Sequence, residues 1–441
     1  MAKQFRGASA SVVATPCLAV TILLLCPLIA SAGSHRKTAP PEPPPVRATL
    51  KPSATIPIEP LGFSAPAAFY LGTRNSLISL DFFDEDHLLL TFRVPGLIHR
   101  DHHEPETADN GMDRQVRAVV LHLPDGQVQA ETVWTLHDRR RYVWMLNTGQ
   151  FLLRVRNELK LGDASLQLKP FLRFPGPVLW VEMDPNLKYM VTGSSEPPTS
   201  ASTDGDVASP PEAAATLVSD DPKPESEPDL ILRILRRDSG KVMLVSHVKS
   251  SVHLPLNTDG FLETLRGNGK AWLVNLNHFD GGSTILGSVD SFCSPMLDFV
   301  SSREFLANTC DSEGNPRVVA MTTGGRRLWE SRSGSLVWPV LVTGGDGLRV
   351  ARETLMVSHG VNAFAPLGTD DIKGQDVQVF DAATGRVALR AQASPVFDVG
   401  GNVAISPSGR RVAIIMAEGL QIFDLPPPPP LPSDAAAPSS H

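Results

Sequence analysis

Basic residues are in deficit: 40 Lys and Arg stand against 47 Asp and Glu, a formal net charge of −7. That argues against a non-specific nucleic-acid binder, which carries a basic footprint. No GxSxG elbow is present, so the strand–turn–helix nucleophile of the α/β-hydrolases has no counterpart here. No apolar run reaches the about 20 residues that a spanning helix needs. The longest, residues 18–29 (LAVTILLLCPLI), is short and interrupted by Pro27. Cysteine is scarce as well, four residues in 441, and two of them, Cys17 and Cys26, fall in that first segment.

What is present at the amino terminus is an export signal by pattern. Lys3 and Arg6 make a positive start, residues 18–29 the apolar middle, and Ala30-Ser31-Ala32 a small-residue cleavage site. The sequence therefore predicts a signal peptide over 1–32, export to the periplasm or the cell exterior, and no stable membrane span once it is removed. Residues 33–62, with PPEPPP at 40–45, read as a Pro-rich disordered linker. The folded domain is expected over 63–425, followed by a Pro-rich disordered tail over 426–441.

Within 63–425 one unit recurs. Residues 377–387 (VQVFDAATGRV) read as an alternating strand, a turn at Thr384-Gly385 and a second strand. Variants follow at AVVLHLPDGQVQ, LRILRRDSGKVML and VVAMTTGGRRLW. A hairpin repeated about every 40 residues signals a β-propeller. Seven first-half hairpins have their turns at 84–85, 147–149, 184–186, 257–260, 301–302, 344–347 and 406–409. Asn, Asp, Gly and Pro dominate these turns for dihedral reasons. Six second-half hairpins follow, so the seventh sheet lacks one strand. The expected fold is all-β, a seven-bladed propeller of four-stranded antiparallel blades. Residues 67–71 (AAFYL) are the expected amino-terminal strand that closes the last blade.

Three insertions, 95–115, 193–228 and 357–375, separate the second and third strands of their blades. In an antiparallel four-stranded blade that connection shares a rim with the blade-to-blade links, so all three are expected on one face. The second is rich in Pro, Ser and acid and reads as disordered.

Cys293 and Cys310 remain after signal removal, in a chain bound for an oxidising compartment. If Ser301-Ser302 is the hairpin tip, Leu297 meets Leu306, Phe299 meets Glu304, and Cys293 meets Cys310. Opposed antiparallel residues sit about 4.5–5.5 Å apart at Cα, within disulfide range, so a bridge is expected.

The segment SPSGRRVAI at 406–414 resembles the strand–turn–strand of WD40-like, TolB-like and YVTN-type propeller repeats. VQVFDAATGRV and VVAMTTGGRRLW resemble the turn repeat of quinoprotein-like propellers. The latter carries Ala320, Gly324 and Trp329, with Thr322 where that family has Asp. As a whole the chain is similar to exported propeller proteins of soil bacteria. The resemblance implies the fold. It implies little about chemistry, because one repeat alone carries the docking Trp and no vicinal Cys pair exists to sit over a quinone.

Candidate chemistry concentrates in the first insertion, at IHRDHHE. His99, His102 and His103, with Asp101 and Glu104 beside them, are suitable ligands for zinc, copper or nickel. Arg100 and Glu106 make the same run read as a solvated loop. His122, His137, His247, His253, His278 and His359 lie singly in or near strands and read as structural. Asp81, Asp84, Glu85 and Asp86 form an acidic tip without the alternating spacing of a calcium loop. The six Trp residues read as packing between blades, and Arg139-Arg140-Arg141 as a loop link.

With no catalytic residue assigned and no cofactor predicted, the leading expectation is a non-catalytic binding or scaffold protein. Its ligand, a protein or a glycan, would sit on the face with the long loops. The alternative is an enzyme, either a metal-dependent hydrolase or lyase at His99–His103 or a quinoprotein-like oxidoreductase.

Overall fold

The structure is a computed structural model that describes residues 48–66, 77–94, 113–136, 141–146, 149–196, 229–250, 252–335, 337–344, 347–358 and 367–429. The signal segment, residues 67–71, the His99–His103 run and most of the acidic insertion and the tail lie outside the described residues.

The alternating apolar segments become strands, and the strands become seven antiparallel sheets in chain order. Blade 1 shows why both faces of a blade are apolar. Leu88, Leu89 and Leu90 are all fully buried. Successive side chains of a strand point to opposite faces. Leu88, Leu90 and Phe92 therefore pack toward blade 7, while Leu89, Val116 and Val120 pack toward blade 2. The same arrangement recurs around the molecule. Apolar clusters join blades 2 and 3, 3 and 4, 4 and 5, 5 and 6, and 6 and 7. The cluster between blades 7 and 1 makes the ring continuous. The protein is a closed seven-bladed β-propeller. Among the described residues no helix is long and apolar enough to cross a membrane.

Six sheets have four strands. Blade 4 has three, Gly260–Arg266, Ala271–His278 and Ser283–Asp290. Its inner strand is cut to one bridge, Leu256↔Phe261. Pro255 supplies no N–H there and only accepts, from Leu262 at 2.8 Å. The Leu254 N–H turns away to Glu182 Oε2 at 2.8 Å.

Blade 7 has the strands Val403–Ile405, Arg411–Met416 and Gly419–Asp424. Its fourth strand is Ala54–Ile56, which pairs antiparallel with Gly419–Asp424. This place was expected for residues 67–71, and the fold begins well before Phe63. The same segment reaches both neighbouring blades. Ala48 bridges Ala391 on the outer strand of blade 6. Ile58 and Phe63 join the core of blade 1, and Arg117 donates to the Leu61 carbonyl at 2.8 Å.

The three long connections are 94–113, 197–228 and 358–371, against 156–157, 267–270, 311–315 and 417–418 in the other blades. All three join the second and third strands of their blades, as expected. The second and third are shorter than expected, because residues 193–196 belong to the strand Tyr189–Glu196, paired with Asp229–Arg236, and residues 372–375 to the strand Ile372–Asp381.

Cys293 and Cys310 are joined, with Cα atoms 5.8 Å apart. The hairpin register differs by one from expectation. Leu297 faces Ala307 and Phe299 faces Phe305. The cause lies in the turn, where the N–H groups of Val300 (2.9 Å) and Ser301 (3.2 Å) both reach the Glu304 carbonyl. Cys293 precedes the strand Met296–Phe299, so the bridge ties a loop to the end of the strand Glu304–Cys310.

Trp329 docks on the next blade. Its Nε1–H donates to the Ala382 carbonyl at 2.6 Å and its ring stacks on Phe380 at 5.6 Å. Gly385 has φ +69°, and a Cβ there would lie 2.5 Å from Trp329 Cγ. The turn thus needs glycine both for its dihedral and for the indole above it.

Candidate functional site

The inner edges of all seven blades surround a central channel of 780 Å³. Much of its wall is backbone and apolar side chain. The charged groups on it are Asp81 and Arg141 near blades 1 and 2, and Glu182, His253 and Asp298 on blades 3, 4 and 5, with Asp184 at the blade 3 tip.

His253 links three blades. Its Nδ1 lies 3.0 Å from Glu182 Oε1. Its Nε2 lies 3.3 Å from Asp298 Oδ1 and 2.5 Å from the Leu297 carbonyl. All three partners accept, so both ring nitrogens donate and the ring is an imidazolium. Burial opposes that charge, but the hydrogen bonds to Asp298 and Glu182 outweigh it and raise the pKa to about 11. The side chain is 38 % exposed. The site thus places a fixed positive charge between two carboxylates at the channel wall.

Asp81, on the inner strand Ser79–Phe82, is pushed up by burial, against the pull of Arg141 and Ser79. Ser79 Oγ donates to it at 2.5 Å and Arg141 stands 3.6 Å away. Behind this strand the Tyr142 hydroxyl donates to the Leu77 carbonyl at 2.9 Å, and burial raises its pKa. Asp184 caps the first hairpin of blade 3, accepting from the Tyr189 N–H at 2.7 Å; burial pushes its carboxyl up.

A second polar cluster lies under the link from blade 6 to blade 7. Glu353 is fully buried on the strand Arg349–Val357. It accepts from Gln375 Nε2 and, at 2.9 Å, from the Gly400 N–H. The amides of Gln375 and Asn402 lie against each other beside it, with polar atoms 3.2 and 2.8 Å apart. Burial pushes Glu353 up to about 8; Gly400 and Gln375 oppose the rise and Asp398 adds to it. At neutral pH the group is largely a neutral acid.

Sequence patterns and geometry overlap only in part. His99, His102 and His103 lie outside the described residues. Asp84, Glu85 and Asp86 sit at the hairpin tip, held by local turns and by Arg411, which contacts Asp86 at 2.9 Å. Trp134, Trp144 and Trp180 pack between blades as expected. The His253 bridge was not found, because its three members lie on three hairpins.

No protein-family model matches the chain, and no curated protein matches it by sequence. Solved structures match it by shape. It is similar to the C-terminal WD40 domain of Sif2, at 12 % identity over 80 % of this chain and 96 % of that one, TM-score 0.38. It is also similar to a chain of a mitotic checkpoint complex, at 10 % identity over 92 % and 98 %, TM-score 0.44. A chain of Kuenenia stuttgartiensis hydrazine synthase matches at 8 % identity over 79 % and 96 %, TM-score 0.42. These neighbours are WD40 and other β-propeller proteins. At such identities the likeness concerns the fold alone.

Proposed function

We propose that this chain is an exported propeller that binds a partner, a protein or a glycan, on the rim that carries its three long connections, and acts there as a binding or scaffold module. The observation that supports this reading is the asymmetry of the connections. Blades 1, 3 and 6 carry 94–113, 197–228 and 358–371 on the rim of the blade-to-blade links, while the matching connections of the other blades are tight. Long loops on a rigid scaffold are where binding residues concentrate. The pattern at Lys3, Arg6, residues 18–29 and Ala30–Ala32 supports export.

The test is to replace residues 95–112, or 359–366, with short Gly-Ser linkers and to compare capture of envelope proteins and of arrayed glycans with that of the parent. The expected result is loss of capture of one defined partner with an unchanged melting curve. Capture unaffected by both replacements, or none by the parent, would overturn the reading. Stoichiometric metal that is lost on replacing His99, His102 and His103 by Ala, or a visible chromophore in the purified protein, would point instead to an enzyme.

A further inference from the structure

Two His–Asp pairs face each other at the end of blade 1 opposite the long connections. His87 opens the strand His87–Arg93, His122 closes the strand Arg114–His122, and the two are ladder partners. The Leu123 N–H donates to the Asp86 carbonyl at 2.8 Å. That makes 87/122 a non-hydrogen-bonded pair, the closer of the two antiparallel types, with Cα atoms about 4.5 Å apart. The rings share one face of the sheet, their centres 5.6 Å apart and their planes at 67°. The side chains are 36 % and 38 % exposed.

Each ring is held from behind. His87 Nδ1 lies 3.0 Å from both carboxylate oxygens of Asp84. His122 Nδ1 lies 2.9 Å from Asp125 Oδ1. The carboxylates are themselves fixed by turn amides. Asp84 accepts from the N–H groups of Asp86 and His87, both at 2.8 Å, and Asp125 from that of Gln127 at 3.2 Å. An Nδ1–H that donates to its carboxylate leaves the lone pair of that ring on Nε2, the atom open to a metal. This is how histidines that ligate metals are oriented by their outer partners.

We propose that His87 and His122 form a two-imidazole site for a borderline divalent cation of the Zn²⁺ or Cu²⁺ class. The separation of the rings suits this. A metal–nitrogen bond of about 2.0–2.1 Å places each ring centre about 3.2 Å from the ion, so two rings at a tetrahedral angle stand about 5.2 Å apart. The observed 5.6 Å is reached from there by a small rotation of either ring. Among the described residues no group of three His, Cys, Asp or Glu side chains is placed to hold a metal. The two imidazoles are therefore the ligands among the described residues, and water or a partner fills the other positions. Imidazole donors exclude Mg²⁺ and Ca²⁺, which take oxygen. The motifs that build the site are DEDH at 84–87 and HLPD at 122–125, mirror images in sequence that the ladder brings face to face.

The experiment uses the full mature chain carrying His99→Ala, His102→Ala and His103→Ala, which removes the loop histidines as competitors. Zn²⁺ is titrated by calorimetry, and Cu²⁺ is followed by its paramagnetic resonance spectrum. One equivalent should bind, with two nitrogen ligands in the copper spectrum. His87→Gln or His122→Gln should weaken it at least tenfold, and Asp84→Asn should weaken it less, with melting of the metal-free protein unchanged in each. Equal binding by the His87→Gln/His122→Gln double variant, or a parent without a stoichiometric site, would overturn the assignment. Neither result depends on whether the opposite rim captures a partner.

Discussion

Glu353 is the residue whose surroundings have the clearest measurable consequence. Its folded pKa of about 8 stands above the ordinary 4.5. Between those values the folded chain holds a proton that the unfolded chain has released. Stability therefore falls as pH rises through that window, by up to about 1.4 kcal/mol per pH unit, and levels off above it. Glu353→Gln keeps the shape and removes the proton. Urea unfolding between pH 5 and 8 should show a flatter profile for the variant, and a stability at pH 8 equal to or above that of the parent. A parallel slope in both proteins would refute this account of the cluster. Nothing in the sequence marked Glu353 as buried, since its neighbours Arg352 and Thr354 give its strand a polar appearance. The groups that meet its carboxyl come from elsewhere in the chain, Gln375 on the neighbouring strand and Gly400 in the following link.

At the scale of the strand, burial rather than composition decides what a residue contributes. Leu89 is fully enclosed between blades 1 and 2, whereas Val245, on the outer strand Val242–Val248, is 55 % exposed. Leu89→Ala should cost about 2–5 kcal/mol by removing packed volume. Val245→Lys should change stability by less than about 0.5 kcal/mol. Thermal unfolding of the two variants checks the contrast, and comparable losses in both would mean that the outer strand is covered. The strands were largely legible because alternation and Gly, Asn and Asp turns mark them at every blade. Two local features were not. The turn at Val300–Arg303 has two amides on one carbonyl, which shifts the cysteine hairpin by one residue. His87 and His122 belong to different hairpins, so only the ladder register makes them a pair.

For the whole molecule the weakest legibility was at the seam. Ala54–Ile56 is three residues long and lies between Pro52 and Pro57, inside a stretch that reads as linker. Proline is tolerated at the ends of an edge strand, so the composition that suggests disorder is compatible with the closing role. Replacing residues 48–58 by Gly and Ser should raise amide hydrogen exchange first in Gly419–Asp424 and then across blades 6 and 1. Exchange by mass spectrometry would show it, and unchanged protection in Gly419–Asp424 would mean that the ring holds without its strap.

That strap precedes blades 1 to 6 in the chain, and its partner strand Gly419–Asp424 follows them. The intervening blades can stack as they emerge, yet the circle cannot be completed until blade 7 has been made. A nascent chain that has not yet reached blade 7 would therefore present two unmated sheet edges at once, a pairing hazard that passes only when Gly419–Asp424 has been made.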